Sequence, residues 1–282
     1  MKWYSYVFLS LAAFLLTMGI AYAVGSRLVF LAVLLAFLIS WIAYIPAYLF
    51  QTEKFYDLTG SIKYLLLTWF IYTLSYEFYG FNIGNLILAT LITMWTLRLG
   101  SFLFMRIHKD GEDKRFRTIK TSASQFFLTW TLSGMWVSLC SICALTAIAN
   151  PFGVTLNLIT YIGIGLFFLG FAIEVIADQQ KTAFRSISEN KNRFITSGLW
   201  AKSRHPNYLG EIILWFAIAV ISFSSLSGTQ YIALISPIFT YLLLVYVSGV
   251  RMLEDRANTK WGNDPEYQEY KTKTPVLLFK IF

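Results

Sequence analysis

The stretch SRHPNYLGE, at positions 203–211, lies just before a long apolar run and contains five side chains that could bind a ligand: Arg204, His205, Asn207, Tyr208 and Glu211. A residue before proline avoids the helical region, so we predict that a helix begins at or just after Pro206. The free N–H groups and positive dipole end of its first turn suit a phosphate or another polar cofactor group. The alternative is an interfacial loop with its tyrosine among lipid headgroups. That alternative explains each residue singly but not the group.

A second group of charges precedes this stretch at helical spacing. Glu174, Asp178, Lys181 and Arg185 follow one another at i, i+4, i+7 and i+11, which places them on one face of a helix. Ion pairs on a solvated helix end would give a similar pattern. Glu174 follows the apolar residues LGFAI, however, and a charge at that depth is a functional candidate because burying it in a bilayer is costly.

Two arginines, Arg98 and Arg106, flank the apolar segment LGSFLFM. Their spacing is close to two helical turns, so both can face the same side. Arg98 lies too deep for its side chain to reach the interface easily. An arginine that points into a helical bundle indicates an anionic partner such as a phosphate or a carboxylate.

A fourth group follows the second apolar run and consists of Gln51, Glu53, Tyr56 and Asp57. A carboxyl kept protonated by apolar surroundings, with a phenol beside it, could donate hydrogen bonds to a carbonyl. The alternative interpretation is a polar turn in which Asp57 or Thr59 caps the next helix.

The composition indicates the elements that carry these groups. Of the 282 residues 57% are hydrophobic and only 13% are charged, and the mean hydropathy is +0.59. Runs of about 20 apolar residues predict an all-α, polytopic membrane bundle with seven to eight transmembrane helices. The runs lie near residues 4–23, 28–50, 60–79, 83–105, 126–148, 154–177, 209–225 and 229–250. We expect residues 1–50 to form N-terminal transmembrane helices. AYA at 21–23 has the look of a signal cleavage site, but the apolar run before it is longer than a signal core.

The net charge of +8 lies mainly in three segments, residues 106–120, 181–204 and the tail from Arg251. If eight helices cross the bilayer, all three segments fall on one face, which the positive-inside rule makes cytoplasmic. Topology and anionic headgroups explain this charge, so we exclude nucleic acid as a partner.

Several common chemistries are excluded by the sequence. The two histidines of the chain cannot form a histidine-rich metal site, and we expect no metal. Cys140 and Cys143 lie in an apolar helix without a second pair, so we interpret them as small buried residues. No dinucleotide, P-loop, zinc-protease or serine-hydrolase signature is found.

The segments GLWAKSRHPNYLGEIILWF, RMLEDR and PEYQEYKTKTPVLLF together resemble the steroid 5α-reductase family, in particular its bacterial branch. The resemblance covers about residues 50–282 and implies a steroid 5α-reductase-like transmembrane domain over residues 51–282, with cytoplasmic NADPH-binding loops. It implies NADPH-dependent reduction of the C4–C5 double bond of a 3-oxo-Δ4-steroid in a membrane-embedded pocket.

The resemblance also implies cofactor-binding residues. Asn207 and Glu211 match an N-x-x-G-E element that contacts the nicotinamide half, and Asp178 and Arg185 match residues that bind the adenosine and phosphate parts. The other positions that we expect at the cofactor are Arg98, Arg106, Glu174, Arg193, Arg204, His205, Tyr208, Arg251, Tyr270 and Lys273.

The expected catalytic residues are Glu53, Tyr56 and Gln51. Gln51 and Glu53 resemble the family's Gln-Glu pair, whose glutamate bonds the steroid 3-ketone, but Thr52 is inserted between them. Trp95 stands where the animal enzymes have a ketone-binding tyrosine, and Tyr56 can take its place. A protonated Glu53 with Tyr56 would then stabilise negative charge on the carbonyl oxygen during hydride transfer.

Three other functions fit parts of the pattern. Isoprenylcysteine and phospholipid methyltransferases carry an RHPxY-like element and would use S-adenosylmethionine. A sterol C14 or C7 reductase is closer in chemistry. A small transporter would use the buried charges as a path, but the chain has no internal repeat. We expect a monomer in a bacterial inner membrane, surrounded by membrane lipid, that takes a steroid or a related enone lipid.

Overall fold

The computed structural model describes residues 2–280, and within this range the chain is helical, with no strands. The α-helices are α1 Trp3–Ala23, α2 Arg27–Leu49, α3 Tyr56–Tyr79, α4 Ile83–Asp110, α5 Ala123–Ile148, α6 Leu158–Ser186, α7 Pro206–Phe223, α8 Ile235–Leu242, α9 Val250–Trp261 and α10 Pro265–Lys273. The predicted all-α class is confirmed.

Seven helical segments in the described part of the chain are long and apolar enough to cross a membrane. They are α1, α2, α4, α5, α6, α7 and the segment Gly228–Trp261. The chain is therefore that of a polytopic helical membrane protein. α3 is 24 residues long, packs against α2, α4 and α5, and carries the charged residues Asp57, Lys63 and Glu77.

Two helix boundaries test the sequence analysis directly. α7 begins at Pro206, as predicted from the proline. The last span differs from the single helix expected over residues 229–250. A 3₁₀ segment, Gly228–Leu234, leads into α8, and a π-helical turn, Leu243–Val247, separates α8 from α9. Such turns interrupt the regular hydrogen-bond ladder of a helix and are frequent at functional sites.

The chain forms two compact units. The N-terminal unit comprises the residues through Thr160 together with Ile221–Ser236. It is built around α5, which contacts α1, α2, α3 and α4 and is buried along most of its length. Cys140 and Cys143 are buried in α5, as expected for small core residues.

The C-terminal unit comprises Tyr161–Val220 and the residues from Pro237 onward. Its helices α6 and α7 cross in direct backbone contact at Gly170 and Gly210. A side chain at Gly210 would come within 2.6 Å of the Gly170 carbonyl oxygen and of the Glu174 backbone nitrogen. Only glycine permits this approach, which brings Glu174 of α6 next to the first turns of α7.

We therefore expect Gly210→Ala to push α6 and α7 apart and to lower the free energy of unfolding by about 1–3 kcal/mol. Gly165→Ala is the matched control, since a side chain there meets nothing within 4 Å. The two variants are compared by thermal unfolding in detergent. Equal melting temperatures would show that the close crossing does not need glycine.

Candidate functional site

The turn before α7 is fixed by a carboxylate from α9. The Arg204 Nη1 and Glu254 Oε2 atoms form an ion pair at 2.8 Å, and the His205 Nε2 atom lies 2.7 Å from Glu254 Oε1. The backbone N–H of Arg204 donates to the Pro275 carbonyl at 2.9 Å. Glu254 belongs to the segment RMLEDR, so this contact joins two of the sequence segments that carry the family resemblance.

Three buried polar atoms at this turn have no hydrogen-bond partner among the described residues: Arg204 Nε, His205 Nδ1 and Asn207 Oδ1. Burial lowers the pKa of His205, and this outweighs the opposing effect of Glu254, so the ring is neutral near pH 7. A neutral ring that donates from Nε2 to Glu254 leaves Nδ1 as an acceptor. The turn therefore offers two acceptors and one guanidinium donor to a ligand.

The chemistry of these atoms limits the ligand. Unsatisfied acceptors require a partner with N–H or O–H donors, such as a carboxamide or a sugar hydroxyl. The nicotinamide end of NADPH has both groups. The residues at this turn thus fit the nicotinamide half of NADPH, which is the half that the resemblance assigns to Asn207.

The stripe on α6 lies as its spacing predicted. Glu174 and Asp178 are buried, whereas Arg185 at the end of the helix is exposed. The Lys181 Nζ atom lies 4.5 Å from the centroid of the Trp200 ring. Two acids thus lie inside the C-terminal unit and the bases lie at its surface.

The C-terminal tail folds back on the segment before α7. The Tyr270 hydroxyl donates to the Trp200 carbonyl at 2.7 Å, and the backbone N–H of Lys280 donates to the Lys202 carbonyl at 2.9 Å. Beside this contact lies a cleft of about 680 Å³. Three of its lining residues were expected at the cofactor: Arg193, Tyr270 and Lys273.

The remaining expected residues of this unit lie close to the same elements. Tyr208 packs with its ring centroid 6.0 Å from that of His205, and Glu211 lies half-buried one turn after Asn207. Arg251 is exposed in the first turn of α9. Lys273 forms an ion pair with Glu269 at the surface.

Glu53, in the N-terminal unit, is buried and has both carboxylate oxygens occupied. Oε1 accepts from the Asp113 backbone N–H at 3.0 Å, and Oε2 pairs with the Lys120 Nζ atom at 2.7 Å. This arrangement suits an ionised carboxylate and not the protonated glutamate of the sequence analysis. For Glu53 to donate to a ketone, Lys120 would have to move away.

Tyr56, in the same region, uses its one hydroxyl proton within the protein. Its hydroxyl donates to the Thr129 carbonyl at 3.0 Å, and its ring packs 5.0 Å from those of Phe116 and Trp130. Gln51 is exposed, with φ 49°, and donates to the Tyr48 carbonyl at the end of α2.

α3 begins at Tyr56 and has no side-chain cap, so neither Asp57 nor Thr59 caps it. The alternative interpretation of this segment as a capping turn is wrong in that respect. The Thr59 hydroxyl instead donates to the Phe55 carbonyl at 2.7 Å, within the first turn.

The two arginines of α4 also lie in the N-terminal unit. The Arg98 guanidinium is 5.5 Å from the centroid of the Phe102 ring. Arg106 is exposed and lies 3.9 Å from the Asp57 carboxylate. Their observed partners are thus a ring and a carboxylate of the protein itself.

Residues 43–274 match the family described as "Protein of unknown function (DUF1295)". The chain belongs to the DUF1295 family. This family is related to steroid 5α-reductase-like membrane proteins. The match includes most of the residues discussed above, from Gln51 to Lys273.

Two curated proteins are distantly similar to this DUF1295 protein. It is 25% identical to an uncharacterised protein of Schizosaccharomyces pombe over 72% of this chain and 67% of the relative. It is 27% identical to the Delta(14)-sterol reductase of Saccharomyces cerevisiae, over 44% of this chain and only 29% of that enzyme. No solved structure matches. The likeness to a sterol reductase indicates an oxidoreductase only weakly.

The sequence analysis missed three charged residues of the DUF1295 protein. Lys63 carries a clear signal, since it is the one charge in the stretch of α3 between Asp57 and Glu77. Glu254 lies in RMLEDR but was not assigned a role. Lys120 could not be linked to Glu53 from the sequence, because 67 positions separate the two.

We expect Lys120→Met to leave the Glu53 carboxylate buried without its cation and to destabilise the N-terminal unit by about 2–3 kcal/mol. Hydrogen exchange over residues 111–122 should rise, since Glu53 holds this loop. Adding Glu53→Gln should restore much of the stability because no buried charge remains.

The control for this pair is Lys114→Ala, at an exposed lysine of the same loop. It should change neither the melting temperature nor the exchange. If Lys120→Met behaved like this control, the buried ion pair would not be what holds the loop.

Proposed function

We propose that this protein is an NADPH-dependent reductase of an enone lipid, with the C4–C5 double bond of a 3-oxo-Δ4-steroid as the bond reduced. The observation that supports this most is the group of unpartnered polar atoms at the start of α7. The family relationship and the distant likeness to a sterol reductase favour a reductase over other users of a nucleotide-like cofactor.

The C-terminal unit holds the cofactor in this proposal. Asn207 Oδ1 and His205 Nδ1 accept hydrogen bonds from its carboxamide and ribose, and Glu254 holds the turn that presents them. Arg193 and Lys273, on the cleft beside the tail, pair with the 2′-phosphate and favour NADPH over NADH. NADPH, when bound, supplies a hydride to the substrate.

The N-terminal unit binds the substrate carbonyl in this proposal. The Tyr56 hydroxyl turns its one proton from the Thr129 carbonyl to the substrate carbonyl oxygen and stabilises the negative charge that develops there. The enone gains a hydride at its β-carbon and a proton at its α-carbon, so the carbon–carbon double bond is reduced by two electrons. Glu53 and Lys120 keep the loop of residues 111–122 in place around Tyr56.

The experiment is NADPH consumption by the purified protein in detergent, with and without progesterone or testosterone, together with a product assay. Steroid-dependent oxidation that yields the 5α-dihydro product is the expected result. Absence of oxidation, combined with tight binding of S-adenosylmethionine, would overturn the proposal in favour of a methyltransferase.

We expect Asn207→Ala to weaken NADPH binding about tenfold, because one hydrogen bond to the cofactor is lost. Isothermal titration of NADPH into the detergent-solubilised protein measures this. Asn258→Ala is the control, since that amide accepts only from the surface residue Lys271. An unchanged affinity in Asn207→Ala would show that this asparagine has a structural role in the turn.

A further inference from the structure

Lys63 of α3 is fully buried, and neither of its hydrogen-bond partners is a carboxylate. Its Nζ atom donates to the Ser40 hydroxyl of α2 and to the Ser133 hydroxyl of α5, both at 2.7 Å. Burying an amine with only hydroxyl partners costs free energy that an apolar residue would not. A residue kept at this cost is a candidate for function.

The hydrogen bonds around Lys63 have a fixed direction. The Lys63 amine donates to both serine oxygens. Ser40 uses its own proton on the Ala36 carbonyl, at 2.9 Å. The hydrogen bonds through Ser40 therefore end at the backbone of α2. Only through Ser133 can the chain of hydrogen bonds from Lys63 extend to another side chain.

Among the described residues, the Ser133 hydroxyl accepts from Lys63 and makes no hydrogen bond to the usual acceptor of a helical serine. A serine in a helix commonly donates to the carbonyl four residues earlier, which for Ser133 is that of Thr129. This carbonyl already accepts from the Tyr56 hydroxyl at 3.0 Å. Ser133 lies one turn further than Thr129 along the same face of α5, which places its hydroxyl on the side of the helix that Tyr56 contacts.

We propose that Lys63 is a positioning residue that acts through Ser133 to orient the Tyr56 hydroxyl as a donor to the substrate carbonyl. The chain runs from the Lys63 amine to the Ser133 oxygen, and from the Ser133 proton to the Tyr56 oxygen. Each donor in such a chain polarises the next, so the phenol becomes a stronger donor. The proposal rests on the proposed function in so far as Tyr56 is the group that binds the carbonyl.

Replacing each serine in turn distinguishes this positioning role of Lys63 from a purely structural role. If Lys63 only joined α2, α3 and α5, Ser40→Ala and Ser133→Ala would be equivalent, since each removes one of its two partners. If Lys63 acts on Tyr56, only Ser133→Ala breaks the chain. Ser40→Ala is therefore the matched control.

The first test does not depend on activity. 3-Fluorotyrosine is placed at position 56 of the full-length protein, and its fluorine NMR resonance is recorded in detergent without substrate. Lys63→Met and Ser133→Ala should shift the resonance in the same direction, the double variant should shift it no further, and Ser40→Ala should leave it near that of the wild type. An unchanged resonance in Lys63→Met, or an equal shift in Ser40→Ala, would overturn the proposal.

Lys63→Gln provides a second test in case Lys63→Met does not fold. Glutamine keeps an N–H donor for Ser133 but has no charge, so we expect its resonance to lie between those of the wild type and Lys63→Met. If Lys63→Met does not fold, a Lys63→Gln resonance identical to that of the wild type overturns the proposal.

The second test uses the reaction. Lys63→Met should lower kcat about tenfold, as expected for the loss of one hydrogen bond that acts in the transition state, with little change in KM for NADPH. Lys63→Gln should recover part of kcat. If the wild type does not reduce enones, the proposed function fails, while the fluorine resonance still decides whether Lys63 acts on Tyr56.

Discussion

A polar group inside this helical bundle has to find its hydrogen-bond partners within the protein, because the hydrocarbon of a bilayer offers none. Several buried hydroxyls meet this constraint locally by donating to a carbonyl one turn earlier, as Thr17 and Thr146 do. Charged and amide side chains cannot use this local solution. Three places that carry such groups are the Glu53 ion pair, the Lys63 amine and the turn before α7.

These three places meet the constraint in different ways. Lys63 is satisfied by serines of α2 and α5 and so joins three helices. Glu53 is satisfied by the loop of residues 111–122 and fixes that loop. At the turn before α7 the buried atoms of His205 and Asn207 remain without partners among the described residues. A site that is satisfied only when a ligand arrives is a binding site in physical terms, since the ligand removes the penalty of the buried acceptors.

Much of the fold could be predicted from the sequence. The length of the apolar runs predicted a helical membrane protein. The restriction that a proline places on the residue before it predicted the start of α7 at Pro206. The stripe from Glu174 to Arg185 followed from helical periodicity alone. The break between α8 and α9 could not be predicted, because apolar residues continue through the π-helical turn and hydropathy does not record a change of hydrogen-bond pattern.

The candidate site was predictable only where its residues are close in sequence. The group from Arg204 to Glu211 could be recognised as a unit. The charge state of Glu53 could not, because it depends on Lys120, which the fold brings from a distant loop. The position of Lys63 in an apolar stretch could have been noticed in the sequence, but its two serine partners become evident only when three helices are packed.

The central claim is that a hydride passes from NADPH to the β-carbon of an enone lipid. The most direct test uses NADPH that carries deuterium at C4, in each of its two stereochemical forms, with progesterone as the substrate and mass spectrometry of the product. The account predicts that one of the two forms places a single deuterium on the former β-carbon. A reduced product without deuterium from either form, or no reduced product at all, would contradict it.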